Sequence, residues 1–126
     1  MSTAVALQKK LEAESAAYQA LQKDYTKAVE SRQRLDSQLQ ENTLVQAEFK
    51  LLKDDANIYK LIGPVLTKQD KTEAVTNVDK RIDFINTEID RVEKQLKDMQ
   101  AKTDKKRIEL VELQTALQQS AAAQQK

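Results

Sequence analysis

Cysteine and histidine are both absent from this chain of 126 residues. Their absence removes disulfides, thiolate and imidazole metal sites, the usual nucleophile and the usual general base. Glycine and proline occur once each, at Gly63 and Pro64, so a glycine-rich phosphate loop is excluded. Aromatic residues make up only 4% of the chain, too few for the core of a layered domain or for a base-stacking platform. No apolar run approaches the ~18 residues of a membrane span, and no signal-peptide pattern follows Met1-Ser2-Thr3-Ala4. A cytoplasmic protein without membrane contact is the expectation. Charge of neither sign dominates: 21 basic residues face 20 acidic ones, which leaves no global field for nucleic acid. The best basic cluster, Lys102, Lys105, Lys106 and Arg107, is interrupted by Asp104 and reads as a solvated face. Carboxylates are plentiful, but no pattern gathers a pair into a desolvated pocket. The expectation is therefore a protein that is not an enzyme and needs no cofactor or metal.

What the chain does have is periodicity. Val75, Val78, Ile82, Ile85, Ile89, Val92, Leu96 and Met99 alternate steps of three and four, and Leu110, Leu113 and Leu117 resume the register. That is a coiled-coil seam. Before Gly63, residues Leu7, Leu11, Tyr18, Leu21, Tyr25, Ala28, Leu35, Leu39, Phe49 and Leu52 follow a similar rhythm, with Glu14, Arg32, Asn42 and Gln46 at seam places. If the two stretches run antiparallel, facing positions have residue numbers of nearly constant sum. Leu52 with Val75, Phe49 with Val78 and Leu35 with Val92 give 127; Leu39 with Ile89 and Leu11 with Leu117 give 128. This register puts Leu113 opposite Glu14 and Lys106 opposite Leu21. The pattern predicts one intrachain antiparallel coil rather than a parallel homodimer, because the only helix breakers sit at mid-chain. Each arm of about 50 residues would reach ~75 Å.

The expected order is a first helix over 5–56, a β-hairpin over 57–69, a second helix over 70–119 and a tail over 120–126, all in one domain. Asp70 with Glu73 three residues later reads as the cap of the second helix. Glu30–Arg34, Asp90–Lys94, Glu93–Lys97 and Asp98–Lys102 are spaced as i,i+4 helix pairs.

The hairpin is apolar on both faces: Ile58 and Ile62 point one way, Tyr59 and Leu61 the other, and Val65 and Leu66 likewise divide. A lone two-stranded hairpin is marginal in water, and its edges are templates for further strands. Its composition therefore predicts that strands from other subunits complete a sheet around it; a simple loop capping the coil is the plainer alternative.

The segment Asn57-Ile58-Tyr59-Lys60-Leu61-Ile62-Gly63-Pro64-Val65-Leu66, followed by Lys68-Gln69 and later by Lys80-Arg81-Ile82-Asp83-Phe84-Ile85, closely resembles the beta class of prefoldin subunits. The resemblance covers essentially the whole chain. Alpha-class subunits carry two hairpins, and this chain has room for one. The resemblance implies an ATP-independent chaperone in which two alpha-class and four beta-class subunits pool their hairpins into a double β-barrel, so that this chain has three further beta-class partners. It also implies that non-native polypeptides, chiefly actin and tubulin, are held at the coil tips and passed to the cytosolic group II chaperonin. Carried onto this sequence, Ile58, Tyr59, Leu61, Ile62, Gly63, Pro64, Val65 and Leu66 belong to the assembly surface, and Phe84, off the seam near the hairpin, to a neighbouring-subunit contact.

Toward the chain ends the seam is interrupted by Glu14, Thr103 and Lys106, and Ile108 and Val111 fall on an outer face. Polar seam residues weaken packing. The expectation is that Leu7, Leu11, Tyr18, Ile108, Leu110, Val111, Leu113 and Leu117 present apolar surface to unfolded chains as the ends open. Helix ends fray in any case, and single exposed aliphatics are ordinary. A structural tether, docking through its hairpin into another assembly, is the alternative function; it has no use for ragged apolar tips.

Overall fold

The computed structural model describes residues 3–53 and 55–124. Helix α1 spans Thr3–Leu51, strands β1 and β2 span Ile58–Ile62 and Val65–Gln69, and helix α2 spans Lys71–Gln124. The chain divides into two compact units: Met1–Glu30 with Glu93–Lys126, the terminal unit, and Ser31–Val92, the hairpin unit.

Neither helix contains glycine or proline, and the 3-4 alternation of covered positions is unbroken in both. The core is concentrated in the hairpin unit. Ala74, Val78, Ile85, Ile89 and Val92 on α2 and Ile58 on β1 are buried there, whereas Ala28 is the one described buried residue of the terminal unit. Glu14, Arg32, Asn42, Gln46, Thr103 and Lys106 are all half-buried, as seam positions should be.

The interhelix polar contacts revise the register. Gln46 donates to Asp79 at 2.7 Å, Lys71 donates to the Leu52 carbonyl at 3.2 Å, and Lys106 bonds Glu14. Their residue-number sums are 125, 123 and 120, all below the expected 127 to 128. The helices therefore meet with lower residue-number sums than the spacing predicts at each of these three contacts, and Lys106 reaches Glu14 rather than Leu21.

Helix α1 stops at Leu51 rather than Ala56. The Leu52 N–H closes on the Phe49 carbonyl at 3.3 Å and the Ala56 N–H on Lys53 at 3.0 Å. Lys71 donates to the carbonyl of Leu52, the residue just past the helix end, where carbonyls lose their intrahelical partners. Leu52, placed in the seam by its spacing, lies beyond the helix and is exposed. The stretch 120–124, expected to be tail, continues α2, in keeping with the high helix propensity of its alanines; Gln125 and Lys126 lie outside the described residues.

At the start of α2 the Glu73 N–H donates to the Asp70 carboxylate at 3.2 Å while the Ala74 N–H closes on the Asp70 carbonyl at 2.9 Å. This is the cap the sequence predicts. Asp70→Ala is expected to cost about 1 kcal/mol, read as faster hydrogen exchange at the Glu73 and Ala74 amides with no change in the terminal unit.

Of the expected surface pairs, Glu30–Arg34, Asp90–Lys94 and Asp98–Lys102 do not close among the described residues; Arg34 donates to Ser31 instead. Ion pairs form at Arg32–Asp36, Glu88–Arg91 and Asp104–Arg107. Exposed pairs gain too little to overcome the entropy of holding two long side chains, so the choice among them is shallow.

Candidate functional site

The hairpin is a two-residue connection: Ile62 pairs with Val65 across Gly63-Pro64. Gly63 has φ +59 and Pro64 is held near −65° by its ring, the sign pattern of a type II′ turn, whose twist suits a hairpin. Space around the Gly63 Cα is open, so its requirement is conformational rather than steric.

The register places Leu61 opposite Leu66 on one face, with Tyr59 opposite Lys68; Ile62 and Val65 share the other face with Lys60 and Thr67. Tyr59, Leu61, Ile62, Val65 and Leu66 are all more than half exposed. Ile58 departs from the set, being buried within the chain, where it anchors the first strand. Phe84 on α2 is also exposed. Two strands thus carry five large apolar side chains into solvent on two faces, more than scattered exposure accounts for.

The terminal unit contains the second group. Leu7, Leu11, Tyr18, Leu110, Leu113 and Leu117 occupy half-buried seam positions, while Ile108 and Val111 are exposed outside it. The eight residues therefore do not form one continuous surface: six face the partner helix and two face solvent. Val5, exposed near the start of α1, lies off the seam, where the heptad spacing gives no signal.

The terminal unit's seam is polar at Glu14, Thr103 and Lys106. The Lys106 ammonium bonds the Glu14 carboxylate across the helices and Glu109 on its own helix at 3.3 Å. The hydrogen bond from Lys106 holds Glu14 below its ordinary pKa, against a smaller opposing effect of burial, and the same bond raises Lys106. Beside this pair an open groove of about 450 Å³ is lined by Tyr18, Gln22, Tyr25, Gln100, Thr103 and Arg107, among others. The Thr103 hydroxyl is buried there without a hydrogen-bond partner. Thr26, Thr43, Thr76, Thr87 and Thr115 each bond back to the carbonyl four residues earlier. An unmet buried hydroxyl costs about 1–3 kcal/mol, so Thr103 is a weak point of the seam. Thr103→Val keeps the shape and removes the unmet group; it is expected to stabilise the terminal unit by ~1 kcal/mol or more, read as slower amide exchange around residue 103.

Among the described residues no cluster of three or more metal-binding side chains occurs, and no helix is long and apolar enough to cross a membrane.

Comparison with known proteins agrees with this arrangement. The family model for "Prefoldin subunit" matches residues 12–120. Mouse prefoldin subunit 6 is 44% identical over 117 residues, covering 93% of this chain and 92% of the mouse protein. Prefoldin subunit 6 of Arabidopsis thaliana is 45% identical over 125 residues, 99% and 97% of the two chains, and that of Saccharomyces cerevisiae 48% over 98 residues, 78% and 86%. The crystal structure of the prefoldin beta subunit from Thermococcus strain KS-1 superposes with a TM-score of 0.73 at 24% identity, covering 86% of this chain and 92% of that one. At that identity the likeness speaks for the fold: two long helices and a single hairpin. Family match, near-full-length relatives and fold together place the chain in the prefoldin family, as a chaperone subunit that assembles with other prefoldin subunits.

Proposed function

We propose that this subunit holds non-native polypeptides, actin and tubulin among them, with its terminal unit, and that the cytosolic complex releases them to the group II chaperonin without nucleotide chemistry. The hairpin residues Tyr59, Leu61, Ile62, Val65 and Leu66, set by the Gly63-Pro64 turn and anchored by Ile58, join strands of two alpha-class and three other beta-class subunits in a β-barrel; Phe84 touches a neighbour. The observation that carries the client reading is the contrast between the units. Core residues cluster in the hairpin unit, while the terminal unit has one described buried residue, a polar seam and exposed Ile108 and Val111. Opening such a seam costs little and uncovers Leu7, Leu11, Tyr18, Leu110, Leu113 and Leu117 beside the two residues already in solvent.

Binding of this kind needs no shaped pocket. Several arms in one complex raise the local concentration of apolar surface, so avidity holds a client that no single arm retains. Release proceeds contact by contact, which is compatible with transfer without ATP. In the assembled complex, Ile108→Ser with Val111→Ser is expected to weaken suppression of aggregation of chemically unfolded actin while leaving the assembly intact. Unchanged suppression would remove these two residues from the client surface.

A further inference from the structure

The groove beside the Glu14–Lys106 pair is not explained by apolar contacts alone. Tyr18 and Tyr25 of α1 and Thr103 and Asp104 of α2 line it half-buried, while Gln22, Gln100 and Arg107 stand exposed at its edges. Thr103 takes a seam place where the rhythm calls for a larger aliphatic side chain, so the space between the helices stays open to about 450 Å³.

On the α1 side the phenol hydroxyls of Tyr18 and Tyr25 and the side-chain amide of Gln22 make no hydrogen bond to the protein among the described residues. The α2 side is already ordered. Gln100 donates to the Asp104 carboxylate at 3.1 Å, and Arg107 pairs with the same oxygen at 3.3 Å. That carboxylate offsets the guanidinium, so the groove lacks the basic field that an anionic strand requires. What is left is two flat rings with uncharged donors beside them. Rings pack against side chains and donors meet backbone carbonyls, the combination that grips an extended polypeptide.

Spacing selects the conformation of that polypeptide. Tyr18 and Tyr25 are seven residues apart on one face of α1, a rise of about 10 Å. One three-residue turn of polyproline II advances about 9 Å. A segment in that conformation lying along α1 brings side chains one turn apart to the two successive rings. Polyproline II has no internal hydrogen bonds, so its carbonyls are free to accept, and it is a major conformer of unfolded chains.

We propose that this groove binds extended polypeptide in the polyproline II conformation, most tightly where prolines recur three residues apart. Tyr18 and Tyr25 take the two side chains, and Gln22 with the tyrosine hydroxyls donates to the carbonyls between them. The inference rests on the reading that the terminal unit meets non-native chains, and adds a backbone shape to what is recognised in them. The groove is present with the seam closed, so this contact precedes any opening.

The chain has three tyrosines, and the third, Tyr59, lies on β1 and serves as an internal reference. With fluorotyrosine in this subunit only, the complex reconstituted from all its subunits gives fluorine resonances from this chain alone. An uncharged oligoproline peptide is expected to shift Tyr18 and Tyr25 saturably and to leave Tyr59 in place. A flexible Gly-Ser peptide of equal length should need a concentration about tenfold higher or more. Tyr25→Leu keeps an apolar seam residue and removes one ring; the oligoproline concentration that half-shifts Tyr18 is then expected to rise about tenfold. No shift at Tyr18 and Tyr25, an equal shift at Tyr59, an equally effective Gly-Ser peptide, or an unchanged midpoint in Tyr25→Leu would each overturn the proposal. Aggregation of chemically unfolded actin, followed with the same complex, separates the two readings. If the complex delays it while oligoproline leaves Tyr18 and Tyr25 in place, the client reading stands and the groove falls. If oligoproline shifts both tyrosines but aggregation is not delayed, the groove stands and the client reading falls.

Discussion

A complex reconstituted with Leu61→Ser and Leu66→Ser in this chain is expected to leave it out at micromolar concentration. The two leucines pair across β1 and β2 on one face and are 66% and 65% exposed in the single chain. They contribute almost nothing to its own stability, so the isolated variant should keep its helicity. Burying a leucine side chain is worth about 1.5–3 kcal/mol. Losing two such burials weakens the association constant by roughly 10²–10⁴-fold. Native mass spectrometry of the reconstituted mixture reads the result directly: complexes lacking this chain, with the chain left as monomer. A full complement of the variant in the complex would show that the hairpin faces are not the assembly surface.

Sealing the polar seam of the terminal unit should act in the other direction, on clients and not on assembly. Glu14→Leu with Lys106→Leu replaces the interhelix ion pair by apolar side chains, a change that is often neutral or stabilising when both partners are removed together. If clients are held by an opened seam, the sealed complex should assemble normally, show slower amide exchange in the terminal unit and lose most of its ability to delay actin aggregation. Full chaperone activity with slowed exchange would show that opening is not needed.

The same ion pair has a pH signature with a definite sign. Glu14 is lowered in the folded chain, so its contribution is present above the ordinary value of 4.5 and is lost as pH falls through the folded value below that. Lys106 is raised, so its contribution is present below the ordinary value of 10.5 and is lost as pH rises through the folded value above it. Between those limits the pair is insensitive to pH. Helicity of the terminal unit should therefore decline at acid pH in the unaltered chain, and Glu14→Gln should flatten that limb.

Much of this was legible in the chain because a coiled coil writes its core into a linear period. The seam positions, the cap at Asp70 and the turn at Gly63-Pro64 all depend on residues within a few places of one another, so local chemistry was enough to find them. The polar seam residues were legible for the same reason: Glu14, Thr103 and Lys106 occupy places where the rhythm demands aliphatics.

The register was not legible in this way. A heptad pattern returns on itself, so pairings that differ by three or four residues match apolar residues almost equally well, and it took the reach of Lys106 to Glu14, Lys71 to Leu52 and Gln46 to Asp79 to show sums below the expected one. Nor did spacing show where α1 ends, because Leu52 continues the rhythm after the backbone has turned. Ile58 reads like its neighbours in the hairpin but is buried by the fold around it. Leu44 and Leu51 are the converse: each is ordinary in a helix by spacing, and only the fold shows them uncovered. Periodicity and turn chemistry, being local, determined the coil, the single hairpin and the family resemblance; tertiary packing, through side-chain reach and the faces it covers, decided the pairing of the helices and which apolar residues are left for partners.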